Sequence, residues 1–464
     1  MSQFDLLSSD NDFSELLQRY EQSMSKNEAA YFDVEELEEI ADYYLQRNRT
    51  KDSSRAVELG LRLHPMSSEL LIKRARVYFA LEDFPRAMQV IRRIESIEKN
   101  DIEVLMLKAA LQISMGQTKE ATEIYHFLIG EYSDCEEEIC LDAAYAFMYR
   151  AKFVEALAFL QQSLGINAEN VEVLFEMAFC YEQLLDNEKS LEIYNRILDI
   201  NPYLSEAWFN LGQLHFAQNE YEKAVDCYEF ATAIDEDDIF AWELKGHAYF
   251  QHENIEKAIE SYRKYADLTD NSPMSKIYLG ECYESEEQYK IASCYFFEAA
   301  LEDENLIDAW AGLAVCALEL ENFEEALYHA QRALSLDANQ SELWVYLAEA
   351  YVSLEKPDEA LYAYEHSIGL NPKQPDTLLA IGNLYFDKEN YQQALASYLE
   401  ARELEPETED LALFIAITYF KLKQYRLSFN FLSEIFDREN VLEYFLEHCP
   451  EAEEVFSSLY GKTD

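Results

Sequence analysis

Ionisable side chains are abundant in this chain, and their spacing is the first place to look for chemistry. There are 91 Asp and Glu against 37 Lys and Arg, a formal charge of −54. The eight histidines are scattered; none forms His-Glu-x-x-His or stands at ligand spacing from a cysteine. His448 and Cys449 are sequence neighbours, but on a helix they point in different directions. The cysteines (135, 140, 180, 227, 282, 294, 316 and 449) show no Cys-x-x-Cys pair or tight disulfide-like spacing. They read as reduced thiols of a cytoplasm. No P-loop, Gly-x-Gly-x-x-Gly turn or Gly-x-Ser-x-Gly elbow is present. The expectation is therefore no catalytic residue, no metal site, no cofactor and no enzyme activity.

Two side-chain patterns remain, and both recur at steps of 34 residues. Trp208, Trp242, Trp310 and Trp344 share one column. An aromatic ligand cage is one reading of it; filling the interface between two helices is the preferred one. A second column is acidic: Glu35, Glu69, Glu103, Glu138, Glu172, Glu206, Asp308, Glu342, Asp376 and Asp410. Such a ladder of carboxylates could read a basic peptide. An acid in the first turn of a helix also offsets the helix dipole by about 0.3–1 kcal/mol, and that reading is preferred.

The step of 34 moves the question from chemistry to architecture. Twelve units start at residues 34, 68, 102, 137, 171, 205, 239, 273, 307, 341, 375 and 409, with the fourth one residue late. Position eight is Ala41, Ala75, Ala109, Ala144, Ala178, Gly212, Gly246, Gly280, Ala314, Ala348, Gly382 and Ala416, small in every unit. Position twenty is also small. Position eleven is Tyr in eight units, and position twenty-four is bulky in eleven, as at Tyr228, Tyr262, Phe296 and Tyr398. Small against large at fixed offsets is a packing code for helices that cross closely. Within a unit, Trp208, Leu211, Gly212 and His215, a polar break, then Ala224, Tyr228 and Ala231 predict two helices of about fourteen residues. Within the units, each proline lies at a helix start or just beyond a second helix.

Trp208-Phe209-Asn210-Leu211-Gly212, followed by Ala224, Tyr228 and Ala231, resembles the tetratricopeptide repeat, and the resemblance covers residues 34–442. It implies an all-α, right-handed superhelical solenoid of twelve helix-turn-helix units, with a concave groove lined by the first helices. Departures include Ser53 and Gly60 in the second helix of unit one. Residues 1–33 are expected to be a tail and capping helix, with 1–11 outside any helix and the helix over Phe13–Met24. Residues 443–464 are expected to cap the other end.

In this family the fifth, ninth and twelfth positions tend to face the groove. The resemblance therefore implies a partner-binding wall of Ile72, Met106, Leu141, Tyr145, Phe175, Phe179 and Phe209, apolar and aromatic. It continues through Gln213, Glu243, His247, Glu281, Glu349 and Asn383, where it turns acidic. A partner with apolar anchors beside Lys or Arg would suit both stretches. One segment runs against the overall charge: residues 47–99 hold 12 basic and 7 acidic residues, net +5. Lys73 and Arg76 are its candidate anion contacts, although Glu38, Glu39 and Asp42 could neutralise them. The family's carboxylate clamp for an acidic chaperone tail needs a Lys and Asn set that this sequence lacks.

Composition excludes other classes. About three domains would fit 464 residues, but 11 Gly and 9 Pro leave little for the turns of a β-rich or α/β protein. The charge disfavours nucleic acid as a partner. The start lacks a basic n-region and apolar core, and the longest uncharged run, Leu411–Phe420, is about half a membrane span. The expected function is a cytoplasmic, non-enzymatic scaffold or adaptor that binds a protein or peptide. Self-assembly as a homodimer is the alternative, and a small-ligand sensor a weaker one.

Overall fold

The computed structural model describes residues 3–26, 30–97, 100–406, 411–435 and 441–455, with side chains from 13 to 25 in the first segment. Asp410 of the acidic column and residues 456–464 of the expected C-terminal cap lie outside them. Every regular element among the described residues is helical. After an N-terminal helix, twelve antiparallel helix pairs follow. Their first helices open at Val34, Ser68, Ile102, Glu136, Val171, Ser205, Ile239, Pro273, Ile307, Ser341, Pro375 and Leu411. The chain divides into two compact bodies, Met1–Leu214 and His215–Asp464.

Local chemistry explains where the helices begin. Ser67, Asp101, Asn170, Asp238 and Ser272 precede first helices, and each accepts a hydrogen bond from a backbone N–H three residues on. Pro273 and Pro375 open first helices, where no N–H is needed. In pair 4 a 3-10 turn, Ser133–Cys135, precedes the first helix, which starts one residue before its unit.

The packing code is visible in three dimensions. A Cβ added to Gly280 would lie 2.7 Å from Phe296 Cε1, so in this unit position eight has to be bare. Gly246 and Gly382 meet Tyr262 and Tyr398 in the same way. Ser53 is no defect. Its hydroxyl donates to the Ala41 carbonyl at 2.8 Å, and Ser190 and Ser428 donate likewise to Ala178 and Ala416. A serine at position twenty is thus fully buried yet hydrogen-bonded. Gly60 fits against Leu70, which a Cβ would approach to 2.8 Å.

One backbone feature is shared by every pair. The residue at position fifteen, in the turn between the two helices, has positive φ: Asn48, Glu82, Gly116, Ala151, Leu185, Asn219, Glu253, Glu287, Glu321, Glu355, Glu389 and Lys423. Only one of these twelve is glycine.

The first body is closed by a helix longer than expected. It runs Gln3–Lys26, so residues 3–11, expected outside any helix, continue the one expected over Phe13–Met24. Tyr20 packs against Phe32 and Tyr44, at 5.8 and 6.3 Å between ring centres. At the end of the second body, Val441–His448 buries Phe445, with Cys449 and Ala452 beyond it, in a cluster with Phe420 and Leu432. No helix among the described residues is long and apolar enough to cross a membrane.

Candidate functional site

Each expected wall residue sits on a first helix. Along these helices position eight is buried throughout and position ten in most units, as in Ala144-Tyr145 and Ala178-Phe179-Cys180. Position nine is left unburied in all but the last unit, where Ile417 is buried. In the first body Tyr145 and Phe179 are each 41% exposed, large rings left open to water. Phe179 meets Phe153 edge-on at 6.1 Å, and the Tyr145 hydroxyl donates to Glu172 at 3.2 Å. Gln213 is exposed. Position five is more enclosed. Ile72 is buried, and Met106, Leu141, Phe175 and Phe209 are half-buried, with Phe175 packed on Tyr194 at 6.1 Å. The open part of this wall is therefore its ninth position.

Met106 also lines a cleft of about 590 Å³ with Ile139, Arg76, Glu103 and Asp142. Burial pushes the Asp142 carboxyl up, while the Tyr125 hydroxyl, donating at 2.9 Å, and Arg76 pull it back. Lys73 and Arg76, the candidate anion contacts, are both engaged by carboxylates. Lys73 pairs with Asp42 at 2.6 Å, one of the neighbours named from sequence. Arg76 pairs with Glu103 of the following unit, also at 2.6 Å, and not with the acids of unit one. These two cations serve the array's own ion pairs.

In the second body the wall is built from polar groups. Glu243 accepts the Tyr278 hydroxyl at 2.8 Å, and His247 shares a 2.7 Å hydrogen bond with Tyr262 through Nδ1. Tyr262 and Tyr278 stack at 5.0 Å, with the His247 ring 4.8 Å from Tyr278. Burial holds the His247 pKa below its ordinary value, so the imidazole is neutral at pH 7. Glu243 and His247 are thus half-buried and internally satisfied. Glu281, Glu349 and Asn383 are exposed, although Asn383 accepts the Tyr398 hydroxyl at 2.8 Å.

Three neighbouring first helices, Pro273–Ser285, Ile307–Glu319 and Ser341–Ser353, bring a set of acids together. Glu281 is open to solvent yet crowded by protein, and that crowding, then Asp308 and Glu284, pushes its carboxyl up to about 7. Glu284 and Glu349 are raised first by burial and then by Glu319, the acid they share. Among the described residues none of these five carboxylates has a cation partner. Glu284 stands at position twelve, a groove position by the same family rule, whereas Glu319, at thirteen, follows no signal in the sequence pattern. No group of residues suited to a metal ion occurs among the described residues.

Trp310 packs as the preferred reading had it, buried in a cluster with Phe296 and Leu313, and Trp344 is partly buried against the following cluster. The Trp208, Trp242, Trp310 and Trp344 indoles each donate to a carbonyl six residues earlier, at 2.9–3.0 Å.

Tetratricopeptide repeat family models match residues 39–101, 172–202, 205–238, 241–272 and 379–427. The chain is a tetratricopeptide repeat protein. Over residues 321–401 this repeat protein also matches the family described as anaphase-promoting complex, cyclosome, subunit 3. A human relative, protein O-mannosyl-transferase TMTC1, is 24% identical over 151 residues, 31% of this chain and only 17% of that protein. Among solved structures, the APC/C hetero-tetramer Cut9–Hcn1 matches 89% of this chain and 88% of its own, at 16% identity and a TM-score of 0.44. Yeast Tom70 matches 84% and 96%, at 13% identity and a TM-score of 0.41.

Proposed function

We propose that this tetratricopeptide repeat protein is a non-enzymatic scaffold whose first-helix faces dock segments of other proteins. The observation that carries the reading is the open ninth position. Tyr145 and Phe179 leave two large rings in water on consecutive units, in an array that buries position eight throughout. Exposed rings of this kind cost solvation and gain it back when a partner covers them. In the first body they would receive apolar anchors. In the second, Glu281, Glu349 and their acidic neighbours would receive Lys or Arg, since a cation relieves the mutual repulsion already felt at Glu281. A preformed helix array takes a segment with little ordering cost of its own. The free cysteines support a reducing compartment such as the cytoplasm.

Tyr145→Asp with Phe179→Asp tests the reading, because both side chains are open and their loss leaves the core intact. Affinity capture with full-length protein, read by mass spectrometry, should return partners that the double variant loses while its circular dichroism is unchanged. An identical partner set from wild type and variant would remove the first-body face from the proposal.

A further inference from the structure

The strongest departure from the chain's charge lies in pair 2, on the opposite side of its first helix from the groove positions. A cleft of about 460 Å³ opens between the helices Ser68–Ala80 and Phe84–Glu95. Its walls carry three guanidinium groups, Arg74, Arg86 and Arg93, and its lining includes Leu71, Val90 and the Tyr78 side chain. Leu71 and Tyr78 stand at positions four and eleven and Arg74 at seven. At 100° per residue these lie well round the helix from positions five, nine and twelve.

What holds each arginine is informative. Arg74 donates through Nε and Nη2 to the Tyr78 hydroxyl at 3.3 and 3.1 Å, and Arg93 donates through Nη2 to the Pro65 carbonyl at 3.2 Å. Both acceptors are neutral. Among the described residues neither arginine has a carboxylate partner. Arg86 pairs with Asp83 at 3.3 Å, but Asp83 also caps the helix that starts beside it, accepting from the Arg86 N–H. Other acids nearby are committed elsewhere: Glu95 to Lys108 at 2.6 Å and Glu103 to Arg76. In a chain of −54, with carboxylates available to neutralise almost any cation, two of the three guanidiniums of this cleft are held in place by uncharged groups. Planar N–H forks fixed in this way match an oxyanion.

We propose that this cleft binds a phosphorylated side chain carried on a segment of a partner protein. A phosphoryl group fits better than a run of Asp and Glu for an electrostatic reason. An extended acidic segment would be repelled along its length by the rest of this chain. Phosphate concentrates about two charges at one point, and at physiological salt the field beyond about 8 Å is screened. The apolar walls, Leu71 and Val90, would take the carbon atoms beside the phosphoester. The site is separate from the first-helix faces proposed above, and neither depends on the other.

The test uses full-length protein at physiological salt and a fluorescent nine-residue peptide pool, degenerate except for a central phosphoserine. An unphosphorylated twin and a Glu-substituted twin serve for comparison. Anisotropy should show the phosphorylated pool binding at least about tenfold tighter than either twin, with inorganic phosphate competing. Arg74→Gln with Arg93→Gln should abolish that difference. Arg47→Gln with Arg55→Gln, which removes the same charge from the same basic segment, should keep it, as should Tyr145→Asp with Phe179→Asp. Equal binding of the phosphorylated pool and its twins, or equal loss in the Arg47/Arg55 variant, would overturn the proposal. So would a salt-sensitive dimer in sedimentation that Arg74→Gln with Arg93→Gln dissolves, since the cleft would then be covered by a second copy.

Discussion

The two bodies use one packing code and present opposite chemistry from it. At position nine the first body exposes the rings of Tyr145 and Phe179, and the second exposes the carboxylates of Glu281 and Glu349. At position eight, one residue earlier, both are small and buried. The backbone thus fixes where a side chain stands and leaves its chemistry free. Position eight does differ in degree. The first body holds Ala there in five of its six units, while the second has Gly246, Gly280 and Gly382 facing rings at position twenty-four. Rings also stand at position twenty-four behind alanine, as at Tyr194 behind Ala178 and Tyr364 behind Ala348, but at these three glycines the ring lies closer than a Cβ allows.

That close approach gives the largest expected effect. Gly280→Val drives side-chain atoms into Phe296, which is itself fully buried and has nowhere to move. It should cost roughly 3 kcal/mol or more, the upper end for overpacking. Ala178→Gly, at the same position in the first body, only deletes a methyl and loosens the helix, at about 1 kcal/mol. Urea unfolding followed by circular dichroism measures both. Similar midpoints for the two variants would mean that position eight is not the close contact on which the pairs are built.

The acidic face sharpens the comparison through pH. Glu281 in the folded second body holds its proton up to about 7, whereas in the unfolded chain it ionises near 4.5. Between those values the unfolded state releases a proton that the folded state keeps, so Glu281 destabilises the fold increasingly as pH rises through the window. Glu281→Gln should therefore match wild type at pH 4, gain on it from pH 4.5 to 7, and hold a constant advantage above 7. His247 acts with the opposite sign. Its depressed pKa favours the neutral fold above pH 6.5, and that contribution is lost as pH falls below it. Midpoints of thermal unfolding for wild type and Glu281→Gln at pH 4, 6 and 8 decide the first point. A difference that does not grow with pH would mean that Glu281 is well solvated and not strained by Asp308 and Glu284.

Much of this was legible in the sequence because it depends on volume at fixed spacing. The small column at eight and the bulky one at twenty-four predict each other, and Gly280 with Phe296 shows why. The resemblance also singled out the ninth position, where Tyr145, Phe179, Glu281 and Glu349 are exposed on first helices. Partners across units were less legible. Arg76 reaches forward to Glu103, 27 residues on, whereas the sequence alone offered the acids of the preceding unit equally. Tryptophan N–H groups bonding a carbonyl six residues earlier also leave no mark, since a backbone acceptor has no residue type. Ser53 looked like a departure only because a hydroxyl's buried acceptor, the Ala41 carbonyl, cannot be read from composition. The turn residue at fifteen is hidden for the same reason. Left-handed backbone is usually announced by Gly, and eleven of these twelve turns use another residue.

Those turns give the smallest expected effect and a final contrast between the bodies. Leu185, in the first, has φ of 59° and is 85% exposed, so its side chain adds almost no packing to offset the left-handed strain. Such strain costs about 1–2 kcal/mol for a residue with a Cβ. Glycine's extra freedom in the unfolded chain takes back about 0.5–1 kcal/mol, so Leu185→Gly should stabilise by roughly 0.5–1 kcal/mol. Asn219, at the same position in the second body, tolerates the conformation better, and its side chain accepts the Tyr221 hydroxyl at 2.7 Å. Asn219→Gly should therefore gain nothing or lose a few tenths of a kcal/mol. Urea midpoints separate the two variants. Equal shifts would show that the turn's cost is independent of its side chain, and that the array tolerates Leu185 because the helix pairs around it, not the turn residue, dictate the conformation.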